Sequence, residues 1–539
     1  MIFTPKEKAS LEKAVAKHTE TLSTDPNNFE VLFLRGKAYS ALINAESAIK
    51  DFTKAIELKQ DYADAYYERG NASMLLGNYK DALKDYNQAI EIDPTNAGYF
   101  HFRAYMYHRL KEFDKALEDF TKAIELLPTA ARSYYSRGNV YYDAGDFESA
   151  VEDYTEAIKL YHGYIHLAED VEKANTEFVP YIIQAYSQRG MVYLTTGQND
   201  KAAEDYTKVI DLNPDDFLAY YYRGNAYFYN QEAEKAIADY TKVIELNPDD
   251  IQAYNNRGNA YQDIKEYDKA IADYTKAIEI KPDYANAFLN RGRAYTTLKD
   301  YEKAMADSTK VVELDPTNFK AYSNRAMVFS LLKKDKEAIA DSTKAIELNP
   351  RFFQGYYNRA TSYLNVKNYE GAIADYTQAI QLYPQMPGAY YYRGLAYLET
   401  QRFEQASEDF KICGLLYLNF QNPQMAMKAF GLAYNITNDH KTVNEHIVYC
   451  GLILYLLSFD SRVKQGLIVY QEQYQQHITD ELLKRFLEII MEYITSQQWP
   501  SGVQGELEEL KAEIETISDR MRLNELLFLL QVLKAKIEN

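Results

Sequence analysis

Small and aromatic residues recur along most of the chain on one stripe of what reads as short helices, with polar and charged residues between them. A small residue stands at Gly36, Gly70, Ala104 and Gly138, each 34 positions after the last, and again at Gly190, Gly224, Gly258, Gly292, Ala326, Ala360 and Gly394. Only the interval from Gly138 to Gly190, at 52, breaks the period, which places an insertion of 18 residues near residues 165–182. With that small residue as position 8, eleven copies run from Phe29 to Phe420. Position 4 is mostly aromatic, from Tyr66 to Tyr390, with Leu32 the exception; position 11 is mostly Tyr, position 20 is Ala from Ala48 to Ala406, and position 24 is usually Tyr or Phe. Steps of 3, 4 and 7 put these residues on one stripe of each of two amphipathic helices per copy. Nine of the fourteen prolines close a copy or its N-terminal forerunner, among them Pro26, Pro94, Pro214 and Pro350. A proline there ends one helix and lets the next begin. Small residues at 8 and 20 let two antiparallel helices approach closely, and stacked neighbours bury the stripe that one hairpin leaves open.

The stretch YNNRGNAYQDIKEYDKAIADYTKAIEIKP, residues 254–282, carries an aromatic at 4, Gly at 8, Tyr at 11, Ala at 20, Tyr at 24, Ala at 27 and Pro at 32. In this it resembles the tetratricopeptide repeat (TPR) family, and the resemblance covers about three quarters of the chain in one register. It implies an all-α fold: a right-handed superhelical α-solenoid of helical hairpins, here followed by a helical C-terminal region. Gln60, His162 and Leu418 replace the closing proline, and Ser308 and Ser342 replace the aromatic at 24, so looser joints are expected there.

Residues 1–28 are expected to form a capping helix, since residues 10–26 match only the second half of a repeat and carry the polar His18 and Thr21 at core positions. The insertion has a helical pattern to about Ala174 and then Pro180; its 18 residues make five turns and suit either a longer second helix in repeat 4 or a mobile loop. Residues 421–539 read as a degenerate repeat, in which Ala426, Phe430 and Ala433 keep the 20-24-27 spacing, followed by helices at about 479–495 and 506–537. A worn copy is also suggested around Gly451. Leu507, Leu510, Ile514, Ile517 and Met521 suit a coiled-coil seam until Asn524 interrupts it, and a helix packed on the last repeat is the preferred reading.

Two further positions are invariant across the eleven copies: Arg at 7, from Arg35 to Arg393, and Asp at 23, from Asp51 to Asp409. They lie beside the packing positions of opposing helices, so a ladder of partly buried, charge-assisted Arg–Asp pairs is predicted.

Composition adds exclusions. With 79 acidic against 60 basic side chains the net charge is -19, which opposes nucleic-acid binding. Cys413 and Cys450 have no metal-ligand spacing, and no phosphate loop or hydrolase motif occurs. His101 and His108 share a helix face without a third ligand. No catalytic residue, metal or cofactor is therefore expected. The longest apolar run, 447–459, is short of the ~20 residues a membrane-spanning helix needs. The opening MIFTPKEKASLEKAV lacks a signal-peptide core, so a soluble, cytoplasmic protein without membrane insertion is expected.

What remains is surface. The resemblance implies that positions 2, 5, 6, 9, 12 and 13 line a concave face that grips an extended peptide. Candidate contacts are Asn256, Asn290, Asn324 and Asn358 at position 6, Asn71, Asn139, Asn225 and Asn259 at position 9, and Tyr67, Tyr135, Tyr221, Tyr357 and Tyr391 at position 5. Amides at position 6 offer donor and acceptor to a bound backbone, and Tyr offers area with a polar tip. Charges at the six groove positions, Glu30, Asp64, Glu68, Asp143, Asp263 and Glu399 against Lys37, Arg109, Arg132, Arg293 and Lys320, nearly balance, which argues against a strongly charged ligand. No copy has Lys at position 5, which the family's clamp for a C-terminal carboxylate requires. The expected function is a non-enzymatic protein–protein interaction scaffold holding a segment of an unidentified protein, centred on repeats 6–10. Rival readings are a TPR-targeted enzyme or effector with its activity in the C-terminal helices, and self-assembly through the terminal helices.

Overall fold

A computed structural model describes residues 5–420, 422–436, 503–516 and seven single positions between 482 and 492. All regular elements among them are helices. Two compact units divide the chain, Met1–Asp273 and Tyr274–Asn539. Among the described residues each is an α-solenoid in which successive hairpins pack on one another.

The first unit opens with the helix Pro5–Thr24 and continues through repeat 6 into repeat 7. Repeat 6 typifies the rest: a first helix Phe217–Tyr229 and a second helix Ala233–Leu246. Asp216 caps the first helix by accepting from the Leu218 and Ala219 amides. Between the two helices, position 15 adopts the left-handed conformation in every repeat; Gly occupies it at Gly77, Gly145 and Gly197, and elsewhere a side chain is tolerated, as at Ile43 with φ 62°.

Close approach of the two helices depends on the small residue at position 8. A Cβ built on Gly138 would lie 2.9 Å from the Tyr154 ring, and one on Gly36 would lie 2.6 Å from Phe52. Position 20 alanines such as Ala48, Ala236 and Ala372 are fully buried beside these rings. In repeat 8 the ring is replaced by Ser308, and a Cβ on Gly292 would meet nothing closer than 3.4 Å. Ser308 and Ser342 are themselves buried, and the Ser342 hydroxyl has no hydrogen-bond partner.

The insertion differs from expectation. Its turns are shared between two helices, Phe147–Leu167 and Val171–Thr195, separated at residues 168–170, where Asp170 caps the second by accepting from the Lys173 amide. The helical pattern therefore breaks before Ala174, and Pro180 lies within a helix. Tyr161 stacks on Tyr181 at 5.4 Å and packs on Phe178, so the added turns bury one another. Register survives: Arg189 reaches Thr155 across 34 positions, where other repeats make the same bond across 16.

The helix Pro5–Thr24 takes the place of a second helix ahead of repeat 1, with Leu22 buried against Leu32 and Ala55. In the second unit, the second helix of repeat 11, Phe403–Asn419, also pairs with Pro423–Ile436. Gly414 stands to Phe430 as position 8 stands to position 24, a Cβ there falling 2.6 Å from the ring, so one helix serves two hairpins. Helix Val503–Ile514 buries Val503, Leu507, Leu510 and Ile514, and Arg485 donates to Glu513 at 2.6 Å. The helix anticipated at 506–537 thus starts earlier and ends at Ile514, followed by a turn in which the Thr516 amide donates to the Glu513 carbonyl. Ile517, Met521 and Asn524 of the coiled-coil seam, the run 447–459 with Cys450 and Gly451, and most of 479–495 lie outside the described residues.

Candidate interaction surface

The two invariant charged positions organise every repeat. In all eleven, the Arg at 7 donates from Nε and Nη2 to the two carboxylate oxygens of Asp at 23, at 2.6–3.0 Å. The geometry is bidentate and mostly buried, as at Arg257–Asp273 with side chains 16% and 8% exposed. In eight repeats the guanidinium also lies between the rings at positions 4 and 11, 5.4–6.0 Å from each centroid. Fourteen of the chain's 51 tyrosines thus wall these cations.

The sequence reading missed the third arm. Arginine Nη1 donates to the hydroxyl at position 25 of the preceding repeat, as in Arg69–Thr53, Arg223–Thr207 and Arg393–Thr377. Asn87 replaces Thr for Arg103, and Thr19 of the N-terminal helix serves Arg35. Each arginine thus ties two helices of its own repeat to the repeat before it. The signal was available, since Thr recurs at position 25 with the same period.

Within each unit, the first helices of successive repeats approach one another more closely than the second helices do, so the first helices form the inner side. Outer sides carry exposed Lys–Glu pairs three residues apart, such as Lys122–Glu125 at 3.0 Å and Lys276–Glu279 at 3.2 Å. Such pairs stabilise little.

The candidate residues stand on these inner helices. Tyr67, Tyr135, Tyr221, Tyr357 and Tyr391 are half-buried. Burial raises the Tyr67, Tyr135 and Tyr357 phenols above their ordinary pKa, which keeps them protonated donors. Asn71, Asn139 and Asn225 accept from the buried phenols Tyr86, Tyr154 and Tyr240 at 2.9, 2.8 and 2.8 Å. Asn259 is half-buried on the same helix as Asn256. Asn256 donates to the Tyr221 hydroxyl at 3.1 Å and to Asn225 at 3.2 Å, so adjacent repeats of the first unit join through candidate residues. In the second unit Asn358 is buried and donates to the Ser323 carbonyl and hydroxyl at 3.0 and 2.9 Å. Asn290 and Asn324 are half-buried, and Asn324 makes no side-chain hydrogen bond among the described residues.

The two histidines serve separate contacts. His101 is buried, its Nδ1 2.9 Å from the Ser133 hydroxyl, and burial pushes its pKa down to about 3, with Arg132 adding to the shift. His108 Nε2 lies 2.8 Å from Asp143. Among the described residues no group of three His, Cys, Asp or Glu is placed to hold a metal, and no helix is long and apolar enough to cross a membrane.

Comparison with known proteins agrees with this architecture. Two profiles described as tetratricopeptide repeat match residues 63–96, 131–164, 251–284 and 353–386, and residues 285–318 and 319–352. A profile described as TPR repeat matches 44–77, 104–145, 190–231 and 224–265. No curated protein matches the chain. Similar solved structures include MamA, 26% identical over 30% of this chain and 98% of its own, with a TM-score of 0.28. YrrB, described as a TPR protein with an unusual peptide-binding site, is 24% identical over 37% of this chain and 99% of its own, at 0.30. Yeast Tom70 is 18% identical over 80% and 99%, at 0.36. The profile matches together span more than half of the sequence, those of the two tetratricopeptide repeat profiles each beginning at position 1 of a repeat, and the chain belongs to the tetratricopeptide repeat family.

Proposed function

We propose that the protein is a non-enzymatic interaction scaffold whose inner helices hold an extended segment of a partner protein. Membership of a family built for protein interaction supports the scaffold role. The observation that carries the finer reading is the lining of the inner helices: half-buried tyrosines and amides, with their rings and oxygens fixed from behind by the core. Such groups contribute contact area and hydrogen bonds to a bound backbone at low entropic cost.

The position 6 amides divide by role. Asn256 and Asn358 already bond neighbouring repeats, so removing them disturbs packing as well as any ligand. Asn324 has no such duty, which makes it the discriminating residue. Asn324→Ala is expected to leave thermal stability within about 0.5 kcal/mol, as for a surface change. It should weaken capture of peptides selected from a random library by the full chain about fivefold, the equivalent of one net hydrogen bond. Equal affinity in binding isotherms would remove Asn324 from the proposed surface.

A further inference from the structure

Charge is distributed unequally over the inner helices. Those of repeats 8, 9 and 10, Ala285–Thr297, Phe319–Leu331 and Phe353–Asn365, contain no Asp or Glu, in a chain with 79 acidic residues. In the first unit the inner helices of repeats 3 and 6 likewise contain no Asp or Glu, whereas those of repeats 1, 2, 4 and 7 carry Glu30, Asp64, Glu68, Asp143 and Asp263, and the helix leading into repeat 5 carries Glu172 and Glu177. Three of those acids are engaged within the unit: Glu68 lies 3.9 Å from Lys37, Asp143 is 2.8 Å from His108, and Asp64 accepts from the Tyr99 hydroxyl at 2.6 Å. The near balance of groove charges in the sequence therefore hides a local imbalance.

In repeats 8–10, Arg291, Arg325 and Arg359 are neutralised by Asp307, Asp341 and Asp375. Arg293 and Lys320 are not. Both are exposed, at positions 9 and 2 of adjacent inner helices, and neither forms an ion pair among the described residues. Lys320 and Asn324 are four apart on one helix and share a face. Position 6 of one repeat bonds position 9 of the repeat before it at Asn256–Asn225, and Asn324 and Arg293 hold those same two positions in repeats 9 and 8. The one acid on the remaining inner helix of this unit, Glu399 in repeat 11, accepts from Tyr369 at 3.1 Å.

We propose that the inner face of repeats 8 and 9 receives an extended protein segment bearing acidic side chains, with Asn324 addressing its backbone and Arg293 and Lys320 its carboxylates. This rests on the peptide-binding reading above and specifies the partner's chemistry. Two exposed cations with no counter-charge among the described residues select against basic segments and favour acidic ones.

The test presents the full chain with a random dodecamer library whose C-termini are amidated, so that only side-chain carboxylates are available. Asp and Glu should be enriched among captured peptides, and a captured acidic peptide should bind at least tenfold more weakly to Arg293→Glu/Lys320→Glu and weaken with added salt. Circular dichroism establishes that the variant keeps its helices; Arg293→Gln/Lys320→Gln, which removes charge without reversing it, should show a smaller loss in the same direction. Captured peptides without acidic enrichment, or acidic peptides bound equally by the charge-reversed chain, overturn the proposal while leaving peptide binding intact. Failure to capture any peptide overturns both readings.

Discussion

At the scale of single residues, the arginine at position 7 has the widest reach, because one planar cation satisfies a carboxylate, two aromatic faces and a hydroxyl of the previous repeat. Removing the carboxylate leaves a guanidinium largely excluded from water. Asp273→Ala is therefore expected to destabilise its unit by about 3 kcal/mol, at the low end for a broken buried pair because Arg257 keeps Thr241 and the Tyr254 and Tyr261 rings. Equilibrium urea unfolding followed by circular dichroism checks it, and a loss under 1 kcal/mol contradicts a buried pair. His101 sets a pH dependence of definite sign. Its pKa is depressed in the fold to about 3, so between about 6.5 and 3 the unfolded chain binds a proton that the folded chain refuses. Stability should fall as pH drops, by up to about 1.4 kcal/mol per unit from this group. Comparing wild type with His101→Asn between pH 6.5 and 5, above most carboxylate titration, should show a steeper decline in the wild type.

Between elements, helix approach is set by whether position 8 faces a ring. At Gly138 the Tyr154 ring lies 2.9 Å from where a Cβ would stand, whereas Gly292 faces Ser308 and has ordinary contact distances. Gly138→Ala should destabilise by about 1–3 kcal/mol through overpacking. Gly292→Ala should stabilise by about 0.5–1 kcal/mol, since helix propensity and unfolded-state entropy both favour alanine and nothing opposes it. Thermal melts of the two variants shifting the same way would refute the contrast. The insertion follows the same packing logic on a larger scale: it adds turns to two adjacent helices, which cover each other's aromatics and leave the Arg189–Thr155 tie unchanged.

For the molecule as a whole, stability is distributed between neighbours. Every strong tie described, from Arg35 to Thr19 through Arg393 to Thr377, links a repeat to itself or to the one before it. Loss of the N-terminal helix should therefore be felt locally. A chain beginning at Phe29 loses the Arg35–Thr19 bond and the Leu22 cover of Leu32, about 2–3 kcal/mol of apolar burial and hydrogen bonding. Amide exchange should accelerate through repeat 1 and fade by repeat 3; uniform acceleration across the first unit would argue against nearest-neighbour stability. Acidic side chains are likewise uneven, being absent from the inner helices of repeats 3, 6 and 8–10.

The sequence by itself determined the repeat, its helices and the Arg–Asp partners, because the 34-residue period repeats one local solution eleven times and each copy corroborates the others. Candidate residues were legible as positions on a helix face, yet not as free or engaged groups. That distinction depends on neighbours 31 to 35 residues away, as when Asn358 turns to Ser323 and Asn256 to Asn225 while Asn324 makes no side-chain hydrogen bond among the described residues. Tertiary structure also decided the sharing of the insertion between two helices and the double use of Phe403–Asn419, since period and propensity do not say which of two packings buries more. Local pattern fixes helices because their hydrogen bonds are local; which polar atoms remain open to a partner is settled only when one repeat is laid against the next.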